Sequence, residues 1–354
     1  DVLKHEIGVL ESPTGSGKTV MAVYTIVERD VPTLIVVHNK ELMYQWRDRI
    51  AEYTTLPPDE ICLYGDGKKK IGRVTIAIIN SLVKNLDKFK DEFGYIIVDE
   101  CHRAAAKTFI DATTAIPARY MLGLSATPYR SDGLTCLVNL YMGDTRHIVN
   151  LKSLQDAGQV MVAKYLMTNT SFKIDYDPER DSYSELINQL TKDGSRNSLI
   201  EDDIKRHVKA YVGVALVISD RIEHCKYFYD YFRFNYKEYE VAMITGSTPA
   251  AQRNDIISYV RAGKYDILIA TGQLVGEGLD IKNLSSLYIT TPISFKGRIT
   301  QYVGRILRAM EGKDGVCIYD YNDIGVGVLK ASAVKRQRAY SELNITRTSW
   351  ARGM

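Results

Sequence analysis

Short runs of consecutive apolar residues alternate with amphipathic stretches along the whole chain. In the first half the runs occupy residues 34–37, 74–79, 95–98 and 120–124, and residues 40–53 have a helical pattern. Apolar runs without polar alternation are typical of a parallel sheet that is covered by helices on both faces. The pattern starts again at residues 213–218, 241–244, 266–270, 286–289 and 316–319. We therefore expect two successive α/β units.

The join between the two units is expected at residues 150–160, where Gly158 interrupts the pattern. This gives a first domain of residues 1–152 and a second of residues 153–354. The polar stretch 173–181, which contains Pro178, is expected to be a loop inside the second domain. A length of 354 residues agrees with two domains rather than one.

Composition narrows the class of protein only a little. With 45% hydrophobic and 25% charged residues, the chain has the make-up of an ordinary globular protein. The net charge of +3 permits contacts with phosphate but does not predict them. The five cysteines are dispersed, which favours reduced thiols over a disulfide framework. Without a long apolar run or a signal-peptide pattern, we expect a soluble cytoplasmic protein, associated with the nucleoid or nuclear in a eukaryote.

The strongest chemical signal is an eight-residue glycine-containing segment between an apolar run and a helical stretch: Ser12, Pro13, Thr14, Gly15, Ser16, Gly17, Lys18 and Thr19. Strand, glycine loop and helix are the context of a phosphate-binding P-loop, so residues 14–19 are expected to bind ATP. Gly15 and Gly17 let backbone N–H groups surround phosphate oxygens. Lys18 supplies a positive charge to the phosphates, and the Thr19 hydroxyl is a ligand for Mg²⁺. Ser12 stands where the pattern has Gly or Ala.

A second chemical signal, a pair of acidic residues, follows the apolar run at residues 95–98. Asp99 and Glu100 come directly after it. Asp99 is expected to hold Mg²⁺ through water, and Glu100 to orient and deprotonate the attacking water. By itself an acidic pair after a strand is also common in solvated loops, but together with the P-loop it indicates a nucleotide-hydrolysing site.

With the P-loop and this acidic segment, the chain resembles superfamily 2 helicases of the DExH type. The P-loop resembles motif I, residues 37–42 with Gln45 and Trp46 resemble motif Ia, and residues 79–82 resemble the next strand-contacting motif. The segment Asp99-Glu100-Cys101-His102 is similar to motif II, and residues 125–128 resemble motif III. The resemblance implies that His102, Ser125 and Thr127 couple the ATP site to nucleic-acid binding.

The second half continues the same series. Residues 215–219 resemble motif IV, residues 269–271 with 276–281 resemble motif V, and residues 301–308 match the motif VI pattern Q-x-x-G-R-x-x-R. The resemblance implies nucleotide contacts from Gly278 and Asp280, and catalytic roles for Gln301, Arg305 and Arg308. Two arginines at i and i+3 on one helical face could reach the same γ-phosphate as arginine fingers. An exposed basic helix face is the alternative interpretation.

Within the superfamily, residues 124–133 are similar to the group that holds XPB-like helicases, phage recombination helicases and type III restriction motors. Arg130-Ser131-Asp132 stands where XPB-like proteins have Arg-Glu-Asp, so the DNA-melting role of that element is in doubt. Eleven residues precede the P-loop, so we expect the family's upstream adenine-contacting motif to be either missing or not included in this sequence. An upstream DNA-recognition domain is expected outside this chain.

The resemblance implies two RecA-like domains with ATP and Mg²⁺ in a cleft between them. DNA, single-stranded, duplex or forked, is the expected partner, and RNA stays open because phosphate contacts do not distinguish the two. The expected contacts with the strand are Asn39, Lys40, Asn80, Ser81, Thr245, Gly246 and Thr271. The sequence thus predicts an ATP-dependent DNA helicase or translocase of repair or recombination. A restriction-complex motor and an ATP-gated clamp remain as alternatives.

Overall fold

The computed structural model describes residues 1–13, 15–103, 112, 114–126, 135–276, 279 and 281–349. The chain separates into two compact units, Asp1–Asn150 and Leu151–Met354. The boundary expected between residues 152 and 153 lies within the helix Leu151–Asp156, which begins the second unit. None of the helices in the described ranges is long and apolar enough to cross a membrane.

The first unit is built on an eight-stranded sheet in the order β4-β3-β5-β2-β6-β7-β1-β8. Its strands are β1 (Ile7–Glu11), β2 (Thr33–Val37), β3 (Ile61–Gly65), β4 (Lys68–Lys69), β5 (Val74–Ile78), β6 (Tyr95–Asp99), β7 (Tyr120–Ser125) and β8 (Thr145–Ile148). All neighbouring pairs are parallel except β3 and β4. That antiparallel pair is joined by Asp66 and Gly67 with φ of 49° and 79°, the left-handed values that a tight hairpin turn requires.

Helices cover both faces of this sheet. Those whose bounds fall within the described residues are α1 (Lys18–Arg29), α2 (Lys40–Tyr53), α3 (Ile79–Val83) and α4 (Thr135–Met142). Successive residues of β2 enter different cores, since Ile35 packs with residues of α1 and α2 while Leu34 packs with residues of α3 and α4. A strand buried on both faces needs no polar alternation, which explains its continuous apolar sequence.

The second unit is built on a seven-stranded, fully parallel sheet in the order β11-β12-β10-β13-β14-β9-β15. Its strands are β9 (Ala163–Asn169), β10 (Val214–Ser219), β11 (Val241–Ile244), β12 (Ile267–Thr271), β13 (Leu284–Ile289), β14 (Val316–Asn322) and β15 (Thr346–Arg347). The helices are α5 (Leu151–Asp156), α6 (Tyr183–Lys192), α7 (Gly194–His207), α8 (Ile222–Asn235), α9 (Ala250–Arg261), α10 (Gly272–Gly276), α11 (Lys296–Ile306) and α12 (Gly327–Glu342).

Two cores again lie on opposite faces of this sheet. Leu216 belongs to a core with α9, α11 and α12, and Val217 to a core with α7 and α8. The aromatic-rich α8 buries Phe228 and Phe232 completely in the second core. The prediction of two α/β units, each a mostly parallel sheet with helices on both faces, is confirmed.

The element ends show where the apolar pattern misleads. Ile79 continues the apolar run of β5, but it begins α3 instead of extending the strand. The stretch 173–181 contains neither helix nor strand, as expected for a loop.

Candidate nucleotide site and strand-contact residues

The glycine segment connects the carboxyl end of β1 to the first residue of α1. Gly15 and Gly17 have φ of 89° and 87°, so the two glycines take the left-handed backbone that side chains disfavour. Helix α1 begins at Lys18. Its first N–H groups have no intrahelical acceptor and carry the positive end of the helix dipole, which suits a phosphate.

Ser12, which departs from the expected pattern, is fully buried and holds the loop. Its hydroxyl is hydrogen-bonded to the Ser16 hydroxyl, which itself donates to the carbonyl of Pro13 at 2.5 Å. Its backbone N–H donates to the carbonyl of Ser125, the last residue of β7, at 2.9 Å. The hydroxyl contact with Ser16 is one that Gly or Ala at this position could not make.

Three charged groups of the first unit meet where β1 and β6 end. The ammonium of Lys18 lies 3.4 Å from Oε1 of Glu100. The carboxylate of Asp99 accepts the backbone N–H of Glu100 at 3.0 Å and the indole N–H of Trp46 at 2.9 Å. Burial raises the pKa of Asp99, the adjacent charge of Glu100 raises it further, and Lys18 and Trp46 oppose the shift. A second cation is electrostatically favourable beside two crowded carboxylates.

These residues fit the magnesium of a nucleotide complex. Asp99 is buried at the end of β6, and Thr19 occupies the first turn of α1. Within the described ranges, no group of three or more His, Cys, Asp or Glu side chains could hold a metal ion. Mg²⁺ in nucleotide sites needs only one or two protein oxygens because phosphates and water complete its octahedron. The arrangement therefore suits an ion that arrives with a nucleotide.

His102 links the acidic segment to β7. Its Nδ1 lies 3.1 Å from the Ser125 hydroxyl and 3.4 Å from Oε2 of Glu100. Strands β6, β7 and β1 are neighbours in the sheet, so their carboxyl ends present Asp99, Ser125 and the P-loop side by side. The two predicted coupling residues that the structure describes thus lie in hydrogen-bonding contact.

In the second unit, Gln301 and Arg305 lie on α11 and are buried. The guanidinium of Arg305 donates to the carbonyl of Gly276, at the end of α10, at 3.4 Å. Close approach of α11 requires glycine at the start of α10, because a Cβ on Gly272 would lie 2.4 Å from the Tyr302 hydroxyl. Motifs V and VI are therefore packed against each other.

The expectation that Arg305 and Arg308 share one helical face is wrong. Helix α11 ends at Ile306, Leu307 is its C-cap, and Arg308 forms an isolated antiparallel bridge with Val160. The buried ammonium of Lys313 ends the helix by donating to the carbonyls of Ile306 at 2.5 Å and Arg308 at 2.9 Å. An i, i+3 spacing does not by itself guarantee that a helix continues to the second residue.

The predicted strand contacts all follow the carboxyl ends of parallel strands. Asn39 and Lys40 follow β2, Asn80 and Ser81 follow β5, Thr245 and Gly246 follow β11, and Thr271 ends β12. Within each sheet the two strands concerned are neighbours, since β5 pairs with β2 and β11 pairs with β12. In the first unit, β2 neighbours β6, which ends at Asp99. The predicted strand contacts that follow β2 and β5 therefore lie at the same edge of the sheet as the nucleotide-site residues that follow β6, β7 and β1.

Several of these side chains also stabilise the backbone. The Asn39 side chain caps α2 by accepting the N–H of Leu42 at 2.9 Å. Thr245 is buried, and its hydroxyl is 2.8 Å from that of Ser247. Lys40, Asn80 and Gly246 are exposed. Four predicted site residues, Thr14, Thr127, Gly278 and Asp280, lie outside the described residues, as does the segment Arg130-Ser131-Asp132.

Sequence reasoning missed the contact of Trp46 with Asp99. Met43, Trp46 and Ile50 are the buried positions of α2, and their spacing marks the buried face of the helix. The spacing does not show which acceptor the indole N–H reaches, because Asp99 is 53 residues away.

Comparisons with known proteins agree with this geometry. Residues 3–130 match the family model of the type III restriction enzyme res subunit, and residues 199–310 match that of the helicase conserved C-terminal domain. Together these matches cover more than half of the chain. The yeast structure of S. cerevisiae Dbp5 bound to RNA and ADP BeF3 has the same fold, with a TM-score of 0.67 at 15% identity over 98% of this chain and 87% of that chain.

Two relatives match at higher identity. The putative ATP-dependent RNA helicase L396 of Acanthamoeba polyphaga mimivirus is 28% identical, over 95% of this chain and 64% of the relative. The DNA 3'-5' translocase XPB2 of Sulfurisphaera tokodaii is 26% identical, over 86% of this chain and 76% of the relative. The chain thus spans about two thirds to three quarters of the length of these relatives. It belongs to the superfamily 2 helicases, a family of ATP-hydrolysing enzymes, and its core is related to those of XPB and the type III restriction motor.

Proposed function

We propose that this chain is an ATP-dependent DNA helicase or translocase that moves along or remodels DNA in repair or recombination. The observation that carries the proposal is the cluster of Lys18, Asp99 and Glu100 at the ends of β1 and β6, beside strand ends that carry polar, partly exposed residues. DNA is favoured over RNA by the motif forms shared with XPB-like proteins, one of which is named a DNA translocase. The relative named a putative RNA helicase keeps RNA as an outcome of the test.

Each residue of the first unit has a proposed role in ATP hydrolysis. Lys18 and the N–H groups of residues 15–19 bind the phosphates. Thr19 and Asp99 hold Mg²⁺, which when bound neutralises charge on the phosphate oxygens. Glu100 takes the proton of the attacking water, since it is partly exposed and held next to Lys18 at the mouth of the loop.

From the second unit we assign Gln301, Arg305 and Arg308 to catalysis and Gly278 and Asp280 to nucleotide binding, on the resemblance to motifs V and VI. The buried guanidinium of Arg305, held by the Gly276 carbonyl, ties the conformation of motif VI to that of motif V. Arginine fingers stabilise charge that develops on the transferred phosphoryl group.

The proposed strand contacts are Asn39, Lys40, Asn80, Ser81, Thr245, Gly246 and Thr271. Contacts to phosphate from backbone and hydroxyl groups would be independent of sequence. The five cysteines are unpaired thiols, which supports a reducing compartment inside the cell. A DNA-recognition domain outside residues 1–354 is a proposed partner of this core.

A motor subunit of a restriction complex is the second candidate, and the family description matched by residues 3–130 favours it. It would require a nuclease from another domain or subunit. An ATP-gated clamp that binds without turnover is disfavoured, because Lys18 and Glu100 are both present and in contact.

The test is steady-state ATP hydrolysis by the wild type and by Glu100→Gln without polymer and with single-stranded DNA, duplex DNA, forked DNA or RNA. Strong stimulation of the wild type by one DNA form, with an inactive variant, supports the proposal and identifies the track. Stimulation by RNA alone overturns the DNA assignment but keeps the motor. Turnover that no polymer changes, or an active Glu100→Gln, overturns the motor function.

A further inference from the structure

Trp46 makes a polar contact that ties α2 to the acidic end of β6. Its side chain is 1% exposed and packs in the core between α2 and the sheet. Its indole N–H is the only donor of that side chain, and it points to Oδ2 of Asp99 at 2.9 Å. A buried tryptophan usually finds an acceptor for this N–H, and here the acceptor is the proposed magnesium carboxylate.

The two oxygens of Asp99 are held from two different elements. Oδ1 accepts the N–H of Glu100, which belongs to the same segment, while Oδ2 accepts the N–H of Trp46, which belongs to α2. One donor on each oxygen fixes the plane of the carboxylate. Each oxygen keeps lone-pair capacity for the water shell of a cation, because a carboxylate accepts about four hydrogen bonds. Trp46 therefore orients the Asp99 carboxylate and leaves both of its oxygens able to contact a cation or the water around it.

Helix α2 continues this link toward the proposed strand contacts. It is a 14-residue helix with Asn39 as N-cap and Lys40 as first residue, and Trp46 lies in its second turn. A helix moves as a rigid element, so a displacement of its N-terminus also displaces the indole. Asp99 would then lose or regain a donor as the strand contacts change.

We propose that Trp46 is a positioning residue that sets the orientation of the Asp99 carboxylate for nucleotide-bound Mg²⁺ and makes that orientation depend on the nucleic-acid contact of α2. The proposal rests on the proposed function for the identity of the metal and of the polymer. It goes beyond that function in assigning the link between them to one N–H group.

The first experiment removes the donor. Trp46→Phe keeps an aromatic ring in the core but has no N–H. Tyr44→Phe is the matched control, because it removes a hydrogen bond from the same helix to a different carboxylate, that of Asp66 at 3.0 Å. MgCl₂ is titrated at fixed ATP for hydrolysis, and at fixed fluorescent ADP for binding without turnover. Trp46→Phe is expected to raise the half-saturating Mg²⁺ concentration about 10–100-fold, the usual effect of losing a partner of a metal ligand.

A role in packing alone gives a different pattern. Trp46→Phe would then lower thermal stability and weaken ADP binding even without Mg²⁺, while the half-saturating Mg²⁺ concentration would match that of Tyr44→Phe. That pattern overturns the proposal. Trp46→His restores a ring N–H donor, and recovery of at least part of the Mg²⁺ affinity supports it.

The second experiment leaves residue 46 intact. The sequence has two tryptophans, Trp46 and Trp350, so Trp350→Phe makes Trp46 the only one. Emission of this protein is recorded with ADP as MgCl₂ is added, and separately as oligodeoxythymidine is added. A change in emission in both titrations supports the link between the two ligands. Emission that does not change in one or both titrations overturns it. If no polymer stimulates the wild type, the proposed function fails independently, whatever the Mg²⁺ titrations give.

Discussion

The ammonium nitrogen of Lys18 lies 3.4 Å from Oε1 of Glu100, and both side chains are mostly buried, at 12% and 20% exposed. Lys18 stands at the start of α1, and Glu100 directly follows β6, so the contact joins the P-loop to the acidic segment across 82 residues of sequence. The lysine therefore neutralises the carboxylate that we assign as the base. A phosphate that binds the loop competes with Glu100 for this ammonium.

Glu100→Gln is expected to bind ATP at least as tightly as the wild type, because the amide releases Lys18 to the phosphates. Hydrolysis should fall by about 10²–10⁴-fold, the usual contribution of a positioned general base. Equilibrium binding of a fluorescent ATP analogue and single-turnover hydrolysis measure the two effects separately. Lys18→Met is the comparison variant, and it should lose binding. Weaker binding in Glu100→Gln than in the wild type would contradict this account of the pair.

Glu100 has φ of 51°, which is a left-handed backbone conformation at a residue that is not glycine. Such a conformation costs free energy for most side chains, while Asn tolerates it. We expect Glu100→Asn to be more stable than Glu100→Gln by ~1 kcal/mol. Both variants replace the carboxylate with a neutral amide, so the loss of charge is the same in the two proteins. Urea unfolding of the two proteins measures it, and equal stabilities would argue against strain at this position.

His102 and Ser125 connect the ends of β6 and β7 through the 3.1 Å contact between Nδ1 and the hydroxyl. If this contact carries the coupling, Ser125→Ala should lower nucleic-acid-stimulated turnover by about tenfold, a typical coupling between two sites. The rate without polymer and the affinity for ADP should not change. Tyr95→Phe is the control, because it removes a buried hydroxyl 2.8 Å from Thr25 in the same unit. Equal losses in both variants, or an equal loss without polymer, would show a structural effect instead.

The sequence predicted some helices and strands correctly and missed others, depending on how clearly their apolar and polar positions are patterned. Helix α2 was predicted at residues 40–53 and has those bounds, because its polar and apolar faces differ clearly. Strand β9 was not predicted, because its residues alternate between buried and exposed and form no continuous apolar run. The contact of Trp46 with Asp99 could not be read from either pattern. Periodicity indicates which face of an element is buried but not which partner a polar atom meets.

The second unit contains a buried ion pair whose partners, like Trp46 and Asp99, could not be matched from the sequence pattern. The guanidinium of Arg196 donates to both carboxylate oxygens of Asp323, at 2.7 Å and 3.4 Å, and both side chains are 1% exposed. The Thr170 hydroxyl donates to the same carboxylate at 2.6 Å. Asp323 is 127 residues from Arg196 in the sequence, so no local pattern indicates that the two form a pair.

Arg196→Met is expected to destabilise the protein by about 3–5 kcal/mol, because it leaves the Asp323 carboxylate buried without its cation. Adding Asp323→Asn should recover part of the loss, since the amide is neutral and can still accept from Thr170. Urea unfolding of the two single variants and the double variant gives the coupling free energy. Additive losses would show that the two residues do not form an interdependent pair.

His224 should make the stability of the second unit depend on pH. It is 2% exposed, and burial together with the charge of Arg196 lowers its pKa to about 3. Its hydrogen bonds fix the tautomer. The Asn197 amide nitrogen already donates to the carbonyl of Thr191, so the amide oxygen at 3.0 Å accepts from Nε2–H. Nδ1 carries no proton in this neutral tautomer, so the Ser219 hydroxyl donates to it at 3.0 Å while accepting the N–H of Arg221. Both ring nitrogens are thus hydrogen-bonded when the imidazole is neutral, and burial disfavours the charged form.

The sign of the pH effect follows from this pKa. Above the ordinary histidine pKa of about 6.5, neither the folded nor the unfolded state is protonated at this side chain, and its full contribution is present. Below that value the unfolded chain takes up a proton that the folded chain refuses. Stability should then fall by up to ~1.4 kcal/mol per pH unit until the pH approaches about 3.

His224→Gln tests this effect, because glutamine can donate to Asn197 and accept from Ser219 without titrating. Urea unfolding at pH 7.5, 6.5, 5.5 and 4.5 is compared for the wild type and the variant, so that the shared titration of carboxylates cancels in the difference. The variant is expected to be less stable at pH 7.5, and the gap should close and then reverse as the pH falls. Parallel curves for the two proteins would mean that His224 is protonated equally in the folded and unfolded states. That result would contradict the lowered pKa of His224.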